Sequence, residues 1–316
     1  MVMSPGQVRV VDPVLTNVAR GYTNPMFVGG ALFPRVPVAI SGGQIIEFGK
    51  EAFRLYSARR TPGSATKRVM YGHAGKPFAL VQDALEGKVP REWMRDAAVS
   101  PGVELGTRAV NNTLSAIGLA LEYEQATLAR TAASYAASNK VALTATTTWA
   151  NGAHADSDPQ GDVEAAKEAI RAKTGQYPNV IVLSATTFAA LKSHEKVMER
   201  IKYTGRDSVT TDLLASLWDI PRVVVGRAVF AAGADDAFQD VWGNDTVLAY
   251  APEQPSGMEM PSYGYTYTME GHPLVEQAYW DGNEKSWIYP ITMERAAVIA
   301  GAEAGYLIQN TGAAPA

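Results

Sequence analysis

Residues 105–135 carry no proline, and Val110, Leu114, Ile117, Leu121 and Leu128 recur there at helical spacing, with Leu119 and many alanines around them. Apolar positions three and four apart fall on one helix face, so the pattern predicts a helix over the whole stretch. Thirty helical residues would reach roughly 45 Å, longer than a small domain is wide. Such a helix suits a spine across an elongated molecule. Upstream, residues 44–85 read as a long hairpin. Strands are predicted at 44–48, 53–59, 66–71 and 78–82, and Arg60-Thr61-Pro62-Gly63-Ser64 has turn chemistry.

After the spine, 138–151 reads as a strand-rich Thr/Ala segment ending at Asn151-Gly152. The middle of the chain then alternates helix and strand. Asp162 is the expected N-cap of a helix over 163–173, and Ser184 of one over 185–193. Further helices are predicted at 197–203 and 211–218. The continuous apolar runs 180–183 and 222–225 read as buried strands, followed by another strand at 241–250. Together these make an α/β unit of about 120 residues, the scale of one domain. The tail returns to β structure. Tyr263, Tyr265 and Tyr267 alternate with small residues, placing the rings on one face of a strand. Strands over 287–293, 295–300 and 305–309 follow, and the final TGAAPA reads as a fraying end.

The first forty-odd residues differ from all of this. Pro5, Pro13, Pro25, Pro34 and Pro37 are spread among apolar Val14, Leu15, Val18, Met26, Phe27, Val28, Leu32 and Phe33. Proline removes a donor and disfavours helix in the residue before it. The segment therefore reads as an extended, adhesive arm lying on another surface, or as a wrap around its own domain.

Charge sharpens this picture. The chain has 28 basic and 32 acidic residues, net −4, which excludes a uniformly basic nucleic-acid coater. Yet Lys50, Arg54, Arg59, Arg60, Lys67, Arg68 and Lys76 face only Glu47 and Glu51 over residues 44–82, a balance of +5. Residues 207–284 hold thirteen acids and only Arg222 and Arg227, a balance of −11. Opposite charge on separate parts of one molecule favours head-to-tail association, which closes into rings or shells. A solubilising face would carry the same acids.

Candidate chemistry is sparse. The absence of cysteine excludes disulfides, thiolate nucleophiles and cysteine-held metals, and suits a reducing cytoplasm. The four histidines, His73, His154, His194 and His272, form no zincin pattern. His154 near Asp156 and Asp158 reads as a solvated turn before a cation site. There is no Gly-x-Ser-x-Gly elbow, Walker loop or Gly-x-Gly-x-x-Gly after a strand. No catalytic, cofactor or metal residue is therefore assigned. The start MVMSPGQVRV has no apolar run for a signal peptide, and no run of 18 apolar residues spans a membrane.

The order of these parts resembles the HK97-fold major capsid proteins of tailed bacteriophages. The likeness is carried best by the strand–helix–helix stretch from Tyr177 through Val180-Ile-Val-Leu-Ser184 to Thr204, and by its continuation from Leu213 through Trp218-Asp-Ile-Pro-Arg222 to Ala228. The resemblance implies an α+β, HK97-like capsid fold. It implies an N-terminal arm (1–43), an E-loop hairpin (44–85), a P-domain with the spine helix (86–160 and, with the tail, 284–316) and an A-domain (161–283). It implies a non-enzymatic head protein assembling as pentamers and hexamers into an icosahedral shell around double-stranded DNA, without cofactor or membrane. In such shells E-loops lie across neighbouring subunits, which makes Arg54, Arg59, Arg60, Lys67 and Arg68 the expected intersubunit contacts. A scaffolding protein, a portal, weakly held DNA and a decoration protein are the implied partners, with assembly in the host cytoplasm and residence in the virion. An encapsulin-like shell around protein cargo and an unrecognised α/β enzyme are the competing readings.

Overall fold

The computed structural model describes residues 11–46, 59–62, 66, 68, 75–97, 104–202, 208–233, 235–253 and 262–313. Helix α1 (Pro13–Gly21) is followed by strands β1 (Arg35–Val38), β2 (Gly42–Ile46), β3 (Gly75–Ala79) and β4 (Val81–Pro90). Helices α2 (Arg91–Ala97) and α3 (Leu105–Arg130) come next, then β5 (Lys140–Ala142), α4 (Pro159–Thr174), β6 (Val180–Ser184), α5 (Ala185–Ser193), α6 (Glu195–Ile201) and α7 (Thr211–Trp218). The remaining strands are β7 (Arg222–Gly226), β8 (Val229–Phe230), β9 (Gln239–Asp240), β10 (Thr246–Ala249), β11 (Gly264–Met269), β12 (Leu274–Val275), β13 (Tyr279–Asp281), β14 (Ser286–Ile299) and β15 (Gly305–Gln309).

Two sheets organise these elements. The first is built on β14, a single 14-residue strand where two were expected. One edge of β14 pairs with β4 from Ser286↔Pro90 to Arg295↔Val81. Its other edge takes β13, β12 and β11 in turn, and β1 adds parallel to β11. The second sheet has the order β5-β15-β10-β6-β7. Strands β6 and β10 are buried along their whole length, because helices cover one face and the spine region covers the other. Ile181, Leu183 and Leu248 pack with Ile170, Leu214 and Trp218 on the helical side, and Val180, Val182 and Val247 with Phe33, Ala129 and Trp242 on the other.

Helix α3 is the spine, 26 residues and roughly 39 Å long. Val110, Leu114 and Ile117 of its first half pack on Tyr289, Ile291 and Met293 of β14. Gly87 lets β4 approach, since a Cβ there would meet the Ala109 carbonyl at 3.1 Å. The helix stops at Arg130, five residues before the expected end. There Thr131 is extended and the Tyr135 hydroxyl donates to the Ala129 carbonyl at 2.7 Å, satisfying a terminal acceptor.

Local chemistry explains the other departures. The Asp12 carboxylate accepts the Val14 and Leu15 N–H groups at 2.9 and 3.0 Å, and Pro13 sits at the first helical position, so Pro13–Gly21 of the expected extended arm form a helix. Ala31, Leu32 and Phe33 are buried in the chain's own core. The segment thus packs on its own subunit from residue 11 onward. Helix α4 begins at Pro159, not after Asp162, whose carboxylate instead accepts the Trp149 indole N–H at 2.8 Å. Only Lys140–Ala142 of the Thr/Ala segment is a strand, because Thr144 and Thr147 bond to each other's local groups in a turn. The strand expected over 241–250 is confined to β10. Thr311, in the end expected to fray, is fully buried and bonded to Thr187 and Thr246. The capping expectation for Ser184 holds, its hydroxyl accepting the Thr187 N–H at 3.2 Å.

Sheet membership crosses chain order. Strands β11 to β13, inside the middle stretch, belong to the β14 sheet, whereas β15 in the tail leaves it for the second sheet.

Phe33 shows how firmly the N-terminal segment belongs to this subunit. A Cβ on Gly264 would lie within 2.5 Å of its ring, so the fit is already close. Phe33→Ala is expected to destabilise the unassembled subunit by about 3–5 kcal/mol. Denaturant unfolding monitored by circular dichroism checks this, and a loss below about 1 kcal/mol would place the segment off the core.

Candidate assembly surfaces

Strands β2 and β3 pair from Gly42↔Ala79 to Ile46↔Gly75 and form the base of the hairpin. Phe78 anchors that base by stacking on Tyr267, ring centroids 4.4 Å apart, beside Val36, Val38, Tyr265 and Ala300. At the tip, Arg59, Arg60 and Arg68 are exposed, and Arg60 donates to the Thr66 hydroxyl at 3.3 Å. None of these three arginines has an ion-pair partner among the described residues. Arg54, Lys67 and most of the expected inner strands lie outside the described residues.

The β14 sheet has two unlike faces. Cross-strand partners share a face, so the register sorts the side chains. Tyr289, Ile291 and Met293 face the spine helix, while Ile288, Pro290, Thr292 and Glu294 face away from it. The hairpin base covers one end of the second face, over Tyr265 and Tyr267. The other end holds Tyr279, Asp281, Glu86 and Lys88 through the pairings of Ile288 with Tyr279 and Lys88 and of Ser286 with Asp281. Tyr279, 46% exposed, donates its hydroxyl to Glu86 at 3.2 Å. Lys88 is matched by Glu284 at 2.7 Å. Desolvation and then the charges of Glu86, Asp281 and Glu284 push the Tyr279 hydroxyl above its usual range, which marks the spot as electronegative.

Trp280 and Trp287 pair edge to face at 5.7 Å on the opposite face, and both remain more than one-third exposed. Clustered exposed aromatics are frequent interface anchors. Sequence reasoning missed Tyr279, Trp280 and Trp287, because only the register of β13 on β14 brings them together.

A buried carboxylate joins the parts. Glu122 of the spine is 2% exposed. Its Oε1 accepts the Val28 N–H at 2.9 Å and the Trp242 indole N–H at 2.7 Å, and its Oε2 accepts the Gly29 N–H at 2.9 Å. The N-terminal segment, spine and second sheet therefore meet at one side chain. Burial pushes its carboxyl above the usual carboxylate range, against the lowering effect of those three donors. Arg130 makes a second link, donating to Asp245 at 2.7 Å.

The groups considered for chemistry meet only in local turns or in the core. His154 accepts the Asp156 N–H in a local turn, and Asp158 heads α4 instead. Buried His194 hydrogen-bonds Ser157 at 3.0 Å, and burial lowers its pKa. His73 is outside the described residues. Among the described residues no cluster of three His, Cys, Asp or Glu side chains is placed to hold a metal ion, and no helix is long and apolar enough to cross a membrane.

Comparison with known proteins decides what such surfaces serve. The family model "Phage major capsid protein E" matches residues 117–287. The major capsid protein of Burkholderia phage BcepMu is 39% identical over 308 residues, covering 96% of this chain and 97% of that one. The chain belongs to the phage major capsid proteins. Among solved structures, a phage-related protein from Bordetella bronchiseptica is 48% identical, with TM-score 0.84 over 98% of this chain and 99% of that one. The mature capsid of bacteriophage PhiM1 matches at 14% identity and TM-score 0.53, covering 91% and 87%. The SrpI encapsulin of Synechococcus elongatus matches at 12% and 0.53, covering 98% and 96%. Those two distant likenesses show the fold, which is the HK97-type capsid fold. The close sequence relatives separate the phage reading from the encapsulin one. A phage capsid protein is a structural component of the virion.

The Glu122 junction yields a test. In Glu122→Gln an amide N–H faces a backbone or indole N–H, so a loss of about 1–3 kcal/mol is expected in denaturant unfolding. Folding raises the Glu122 pKa, so the native state holds the extra proton and stability falls as pH rises through the folded pKa. The wild-type advantage over Glu122→Gln should therefore shrink as pH rises above the ordinary carboxylate range of about 4. A constant or growing advantage contradicts this.

Proposed function

We propose that this capsid protein tiles an icosahedral head, as pentamers and hexamers, around the double-stranded DNA of a tailed phage. The observation that carries the reading is similarity to a phage major capsid protein, 39% identical over 96% of the chain, in a fold where β2 and β3 form the base of a hairpin rich in basic residues. Residues 1–43 act as the N-arm and 44–85 as the E-loop. Sheet membership supports a P-domain of the spine and the β14 sheet, including 264–281, rather than a boundary at 284. It supports an A-domain centred on the second sheet, with 140–158 and 305–313 joining the stretch after 161.

The E-loop cations Arg54, Arg59, Arg60, Lys67 and Arg68 carry charge to a neighbouring subunit. Each contact is modest, and many contacts add once a shell begins to close. A net acidic subunit keeps DNA loosely held inside. Scaffolding, portal and decoration proteins are the further partners of such a head, and a cysteine-free chain suits assembly in the reducing host cytoplasm.

Purified native particles should contain nuclease-protected DNA; a packaged enzyme in its place would move the reading to a cargo shell. Arg59→Glu with Arg60→Glu should cut particle yield at least tenfold, while subunit stability stays within about 0.5 kcal/mol. Normal particle yield in electron micrographs would remove these side chains from assembly.

A further inference from the structure

We propose that a cleft between the N-terminal segment and the spine helix binds a small aliphatic anion, a carboxylate carrying a tail of about seven carbons. This goes beyond the assembly reading and stands whether or not that reading holds. The cleft has a volume of about 200 Å³. Its floor is apolar: Ala19, Leu114, Ile117, Leu121 and Met293 line it, each no more than 7% exposed, and Phe27 adds an aromatic wall. Ala19, Leu114, Ile117 and Met293 belong to the core on β14, and Phe27 packs on the core around Trp242. The cleft therefore lies where two cores meet without filling the space between them. Protein interiors pack as densely as organic crystals, so an opening of this size against a buried floor has room for a guest.

Gly30 keeps that space open. It lines the cleft, and a Cβ there would meet nothing within 4 Å. Its φ lies outside the left-handed region, so the backbone does not call for glycine either. Neighbouring Gly29 is different, because a Cβ there would collide with Gln125 and Glu122. A larger side chain at position 30 has the volume of the cleft to occupy.

Arg35 supplies the charge. It lines the cleft and is itself exposed, which puts a guanidinium at the mouth. It has no ion-pair partner among the described residues. Desolvation and then the charge of Arg295 lower its pKa, and Arg295 is already matched by Asp83. Glu122 also lines the cleft, but its oxygens accept the Val28, Gly29 and Trp242 N–H groups. A guanidinium bonds a carboxylate through two parallel N–H groups, so an acid head at Arg35 with an apolar tail below it matches both parts of the site. At about 30 Å³ for a group the size of a water, the cleft takes roughly seven such groups. A tail in this position touches both the N-terminal segment and the spine, so occupancy fastens one to the other.

Isothermal titration of octanoate into the full-length, unassembled subunit tests this, with one saturable site per chain expected. Hexanoate should bind roughly fifteenfold more weakly, about fourfold for each methylene no longer buried. Decanoate should gain less than twofold over octanoate, because the cleft is full. Arg35→Gln should weaken octanoate at least tenfold while changing the neutral analogue octanamide less than twofold. Gly30→Leu should abolish binding of both, and Gly30→Ala, a smaller plug, should give an intermediate loss. Octanoate should also raise the thermal midpoint of the parent chain and leave that of Gly30→Leu unchanged. Circular dichroism of each variant confirms that the subunit folds. Many weak, unsaturable sites, an adventitious additive only, would overturn the site, as would saturable binding that both Gly30 variants leave intact. Equal loss of octanoate and octanamide in Arg35→Gln would overturn the anion as the ligand. Each of these outcomes leaves the capsid assignment standing.

Discussion

Strand β14 is paired on both edges, and its Tyr289, Ile291 and Met293 are sealed by the first half of the spine helix. A strand so held cannot slip by one residue without turning that apolar row toward water and the Ile288–Glu294 row toward the helix. This constraint sets the relation between everything else. It fixes β4 along one edge and the β11–β13 strands along the other, and so holds the hairpin base and the Glu86–Tyr279–Asp281 group at opposite ends of one plank. Function in a capsid protein is a matter of where surfaces lie relative to one another. The paired sheet holds those two surfaces at a fixed separation.

The spine performs a second task with its other half. Glu122 binds Val28, Gly29 and Trp242, and Arg130 binds Asp245, so the helix ties the N-terminal segment and the second sheet to the plank. A buried carboxylate satisfied only by N–H donors is a polar joint with defined geometry, since each donor left unmatched would carry a desolvation penalty. The subunit therefore presents itself to neighbours as one body. Its persistence in a virion depends on closure of the shell as well as on the folding of each chain.

Much of this was legible in the residues. The α3 periodicity, the buried run of β6 and the Ser184 cap are local signals, and local signals survive folding; β7 forms as expected but lies at the sheet edge, where its valines are half-buried rather than buried. The basic hairpin was legible as charge. What escaped was either an ambiguous local signal or a non-local one. Pro13 reads as disfavouring helix, although a proline preceded by an acid, here Asp12, is also the start of a helix. Asp162 was read as a cap, but the Trp149 indole thirteen residues earlier claimed it. The Tyr279–Trp280–Trp287 group could not be seen because exposure depends on strand register. Sheet membership does not follow the boundary expected at 284 for the same reason: β15 and β11 pair with strands set apart from them in sequence.

The central claim is that this chain is a tile whose own copies are its partners. Sedimentation velocity of the purified protein under assembly conditions, with micrographs of the fast fraction, tests it most directly. Closed shells of many copies, sedimenting far ahead of the 33.8 kDa subunit, are the expected result. A single boundary at the size of one or two chains, under conditions that preserve authentic heads of the same phage, would contradict it.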